Sequence, residues 1–198
     1  MYYNNNFTEF AMQLHGHTQI KNILYYLQTK IGMNINVLLF CCWFAHKGCR
    51  HLSKKDLQTI INSISPWHNQ IVTELQKMLV VSNKINNPNW QKNVGSVILN
   101  STHSAIQMEQ IILTEIIDRL PVDRTPTQKI ADACKSVSAY GKELKGGIDQ
   151  EDAEAIKQLL MHVFPDTNHS NLNTYWGNLS LNKRNFAFSH LQLSFDEL

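Results

Sequence analysis

The chain has 198 residues, 43% of them hydrophobic and 17% charged, with a formal net charge of +2. That length and apolar content suit one medium domain, or a smaller domain with an extension, able to bury a real core. The near-neutral balance excludes a strongly basic nucleic-acid binder, and the longest apolar run, residues 37–45, is too short to span a bilayer.

Charge is uneven along the chain. Residues 1–60 carry six Lys/Arg against two Asp/Glu, whereas residues 121–198 carry eight against ten. Twenty asparagines, clustered at 4–6, 86–89 and 168–173, mark loops and caps. The four cysteines, Cys41, Cys42, Cys49 and Cys134, lack the spacing of a secreted disulfide framework, so reduced thiols in a cytoplasm are expected. The start of the chain shows no secretory leader pattern, and without one the C-terminal FDEL carries no retention meaning.

Periodicity is helical almost throughout. Phe7, Phe10, Ala11 and Leu14 predict a short first helix; Ile20, Leu24, Leu27 and Ile31 predict a second that stops at Gly32. Asn34 is a natural N-cap for a third helix over 35–48, built on the apolar stretch NVLLFCCWFA. Ser53 caps a fourth helix with an apolar face of Leu57, Ile60, Ile61 and Ile64. Pro66 reads as the first turn of a new helix running to about Lys84.

After the turn INNPNW, a long helix is expected from Asn89 to Leu120, halted by Pro121. Thr125 and Pro126 open a helix to about Lys145, and Asp149 caps a last one ending near Phe164. Residues 166–198 read as an irregular tail. Its alternation FAFSHLQLSF would suit a strand only if two copies paired. The expected architecture is all-α: a compact orthogonal or up-down bundle of six or seven helices. In it residues 1–120 form the core domain, residues 121–165 add two helices, and the tail follows.

The residues Leu27, Gln28, Gly32, Asn36, Leu38 to Phe40, Trp43, Gly48, Pro66, Trp67 and Glu109 stand in an order that resembles the bacterial domain-of-unknown-function family 2390. The resemblance covers residues 7–120 and implies a small, cytoplasmic, helical protein with no activity attached. Departures include Asn34 where the family often has Asp, and a less acidic helix at 107–116.

Several groups could carry chemistry. Cys42, His46 and Cys49 fall at i, i+4 and i+7, one face of an uninterrupted helix, and thiolate plus imidazole would suit zinc or iron. The bland alternative is that the cysteines act as small hydrophobes and no cofactor is bound. Trp43, Trp67 and His68, with Arg50, His51 and Lys54 from the basic cluster at 47–55, could line a pocket for an anionic ligand. Helically spaced aromatics are otherwise core. Asn34 and Asn36 read as structural polar residues, and Glu109, Glu115 and Asp118 as a carboxylate edge without matching histidines.

No phosphate loop, nucleophile elbow or HExxH motif occurs. The favoured expectation is a non-catalytic cytoplasmic module that binds another protein or itself, with neither membrane nor nucleic acid as partner. The alternative is a ligand-binding protein or enzyme built on the Trp43, Trp67 and basic-cluster residues.

Overall fold

The computed structural model describes residues 6–144, 147–166 and 172. Its first helices are α1 (Asn6–His15) and α2 (Thr18–Ile31). Gly32 ends α2 at φ 67, where its N–H donates to Gln28 O (3.0 Å) and the Met33 N–H donates to Leu27 O (3.2 Å). A side chain at such a left-handed position costs about 1–2 kcal/mol, so glycine suits the stop.

Helix α3 (Ile35–His46) is the centre of the molecule, and every residue from Asn36 to Ala45 is buried. A helix apolar all round can lie only inside a fold. Phe40 packs edge-on against Phe7 at 5.4 Å between ring centroids and tilts against Trp43 and Phe44 at 5.6 and 5.5 Å. Each such aromatic or leucine contributes about 1.5–3 kcal/mol by leaving water.

α8 (Pro126–Glu143) packs along α3, and α9 (Gln150–Val163) lies mainly against α2. Both begin with capping boxes, at Thr125 with Gln128 and at Asp149 with Asp152. One continuous core runs from Phe7 through Ile130, Val137, Ile156 and Phe164, so the two later helices complete it. Of the expected tail only Asp166 and Leu172 are described, and Leu172 is buried in that core; the proposed strand lies outside the described residues.

Two helices change pitch internally. α4 (Lys54–Trp67) passes into a π turn at His68–Val72 and then α5 (Thr73–Asn83), with helical φ and ψ at both junctions. Pro66 thus sits inside a rod spanning 54–83 and does not start a new helix. Proline has no N–H to give to the preceding turn and crowds its carbonyl; the helix widens immediately afterwards, where Thr73 N–H donates back to His68 O. Likewise α6 (Pro88–Trp90) continues through a second π turn, Gln91–Gly95, into α7 (Ser96–Ile116). Counted as continuous rods, the described residues form seven helices and no strand, the all-α bundle expected.

Two boundaries fall short of expectation. α3 stops at His46 because Gly48 turns left-handed at φ 87. α7 stops at Ile116, and Ile117 is extended at φ −122, so residues 117–125 run non-helically past the end of α3 and Val122 N–H donates to Gly48 O (3.1 Å). No helix among the described residues is long and apolar enough to cross a membrane.

The rods 54–83 and 88–116 form a hairpin. Among the described residues, no element beyond the π turns and α7 makes more than marginal contact with α5. The buried Val72 of the first π turn and Leu79 of α5, with Ile98 and Ala105 of α7, stand outside the continuous core. Ser82 and Gly95 let the two rods approach closely: a Cβ on Gly95 would lie 3.1 Å from Ser82 Oγ, which also accepts from Trp90 Nε1 at 3.2 Å.

Candidate functional site

The most unusual polar group in the structure is Glu109, fully buried on α7 within the stripe Thr102, Ala105, Glu109 and Leu113. An isolated carboxylate there would be very costly to desolvate. Two side chains answer it. Asn34 Nδ2 donates to Oε1 at 2.5 Å, and His68 Nδ1 stands 2.9 Å from Oε2.

Each partner is placed by a helix terminus or defect. Asn34 caps α3, its Oδ1 accepting from Val37 N–H at 3.2 Å, which turns its amide nitrogen towards α7. His68 opens the π turn after Pro66. His68 Nδ1 also lies 2.9 Å from Asn34 Nδ2, so it donates to Oε2 in one tautomer and accepts from the amide in the other, and no described residue bonds Nε2. The imidazole is about a quarter exposed, at 24%. Chemically this is a carboxylate-oriented histidine with one nitrogen open.

The node extends on both sides. Asn34 N–H donates to Tyr140 Oη of α8 at 2.8 Å, and burial pushes the Tyr140 phenol above its ordinary range, so it stays protonated. Asn36 Oδ1 accepts from Gln110 Nε2 at 3.0 Å, and its amide reaches Ile106 O at 3.5 Å. Trp67 Nε1 donates to Ala105 O at 2.9 Å. Asn34 and Asn36 therefore both join α3 to α7.

The remaining candidates are dispersed. Trp43 packs on Phe7 and Phe40 under the Lys47 ammonium, 4.6 Å from the ring centroid. It sits nine residues further along α3 than Asn34, roughly 13 Å by helical rise. Arg50 is exposed at φ 64. His51 Nδ1 lies 3.5 Å from the buried Asp132, which the Arg124 guanidinium also holds at 2.6 Å, and Lys54 is 3.8 Å from Glu143. His51 and Lys54 of the basic cluster thus face carboxylates of α8.

The proposed metal ligands separate for the same reason that α3 ends early. Cys42 is fully buried on the helix, His46 is exposed, and Cys49 lies beyond the left-handed Gly48 with its thiol donating to Arg119 O at 3.3 Å. Burial, then the neighbouring Cys41 and Cys134, pushes the Cys42 thiol well up, which opposes a thiolate ligand. Desolvation, then Lys129, holds His46 below its ordinary value. Among the described residues no three His, Cys, Asp or Glu side chains gather as a metal site.

Sequence reasoning named His68, Asn34 and Glu109 but did not bring them together, reading Glu109 as part of a carboxylate edge. The signal for Glu109 was its place on an otherwise apolar or small-residue stripe of α7.

The chain matches neither a curated protein nor a solved structure. One family model does match it, over residues 6–114, from α1 almost to the end of α7 and including Asn34, His68 and Glu109. That span is more than half the chain, and the chain belongs to the family described as Protein of unknown function (DUF2390).

Proposed function

We propose that this protein is a non-catalytic interaction module whose docking face is the 68–97 hairpin, and that its occupant is an amphipathic helix of a partner protein with acidic flanks. The observation that carries the reading is exposure. Ile71 (38%), Met78 (52%), Val81 (61%), Trp90 (38%) and Val97 (61%) account for five of the nine large hydrophobics left exposed among the described residues. They fall on the pair of rods over which, among the described residues, no third layer packs on α5.

Two packed helices cannot enclose their apolar stripes, and a third helix laid on them closes a small bundle. Charge supports the choice of occupant. Between residues 71 and 97 the chain carries Lys77, Lys84 and Lys92 against Glu74 alone. Lys77 is already paired with Glu74 at 2.7 Å, which leaves Lys84 and Lys92 without an ion-pair partner among the described residues. Acidic flanks on the incoming helix match them.

In this reading the protein works in the cytoplasm without a cofactor, in keeping with four cysteines that are all free and buried. The test is differential capture from native extract with the full chain, its Met78→Glu/Val81→Glu and Lys84→Glu/Lys92→Glu variants, and Met161→Glu on α9 as control. A species retained by the wild type and the control, lost from both hairpin variants and weakened by salt, is expected. Equal retention by all four proteins, or capture of nothing but further copies of this chain, overturns the proposal.

A further inference from the structure

We infer that the His68–Glu109 contact, braced by Asn34, is a latch that pins the first π turn and so sets which face of α5 is presented. The consequence for docking rests on the hairpin reading above; the latch itself rests on three independent placements.

The node sits on the border between core and hairpin. Asn34 caps the core helix α3, His68 is the first residue of the π turn that leads into α5, and Glu109 lies between Ala105, outside the continuous core, and Leu113, within it. A π turn holds one residue more than an α turn. If it relaxed to α pitch or moved along the rod, everything beyond would rotate by about 100° per residue of shift. Met78 and Val81 would then turn away from their present azimuth, while Leu79, which now packs inward, would turn outward.

Most of what opposes such a slip is at its upstream end. Glu109 holds His68 at 2.9 Å, the same carboxylate is held by Asn34, and Trp67 is tied to Ala105 O. Downstream, the turn itself contributes only Val72 as a buried side chain. His68 is therefore a positioning residue: it touches no partner in this account, and acts by fixing the register of the helix that does.

Amide exchange measured by mass spectrometry on the full chain tests this without any partner, so its outcome is separate from that of the docking reading. In His68→Gln the side-chain amide cannot occupy the Nδ1 position, whereas in His68→Asn it can. The expected result is that His68→Gln speeds exchange across 69–83 by about tenfold or more, leaves 37–45 at the wild-type rate, and that His68→Asn restores most of the protection. The inference is overturned if 69–83 does not respond, if 37–45 accelerates in parallel, or if the Asn and Gln variants behave alike.

Discussion

Replacing Asn34 with Asp separates the two roles that this residue combines. As an N-cap alone, Asp is as good as Asn, and a negative charge at the start of α3 would add about 0.3–1 kcal/mol through the helix dipole. In the structure, however, Nδ2 lies 2.5 Å from the buried Glu109 carboxylate. The substitution removes that donor, costing about 1.5–3 kcal/mol for a bond to a charged group. It also sets oxygen against oxygen: two full charges at that spacing repel by roughly 6–7 kcal/mol at an effective dielectric near 20. Rotation of the new carboxylate away from Glu109 relieves part of this. The net expectation at neutral pH is a loss of about 2–4 kcal/mol. Urea unfolding followed by far-ultraviolet circular dichroism measures it. A variant as stable as the wild type, or more so, would refute the network and leave only a capping residue.

Two further outcomes follow from burial and backbone geometry. Gly48→Ala places a Cβ 2.8 Å from Val122 O, a backbone atom that cannot swing aside, at φ 87; a loss of about 2–4 kcal/mol is expected in denaturant unfolding, and a loss under about 0.5 would contradict the left-handed exit of α3. Burial raises the Cys134 thiol from 9.0 to about 12, and raises Cys41, Cys42, Tyr26 and Tyr140 as well. The folded state keeps these protons while the unfolded chain releases them. Stability should thus hold below pH 9 and fall as pH rises towards 12, and an unfolding free energy that stays flat over that window would contradict the burial of these groups.

Much of the fold was legible because local signals and burial agree. NVLLFCCWFA predicted a core helix from composition, and Gly32, Asn34, Ser53, Thr125 and Asp149 all act at the helix ends their types suggested. Pro66 misled because a proline is compatible both with a helix start and with a widened interior turn, and the choice depends on packing several residues away. The aligned Cys42, His46 and Cys49 assumed that α3 continues to residue 48, whereas the left-handed Gly48 ends the alignment. The node was half legible: His68 and Asn34 stood out as polar residues beside apolar runs, yet their meeting with Glu109 spans 41 and 75 residues of sequence and no periodicity reports it. The hairpin's exposed face was hidden for a similar reason. Ile71 and Met78 lie on the exposed side of the hairpin because, among the described residues, no third helix packs over α5.

Docking of a partner's helix on the 68–97 hairpin can be read from a photo-crosslinking amino acid placed at position 78, with position 161 on α9 as control, followed by peptide mapping of the product. The expected product is a single partner protein joined from position 78 and not from 161, through a segment whose apolar residues repeat at helical spacing with Asp or Glu beside them. Products that are the same from both positions, or that join only this chain to itself, would contradict it.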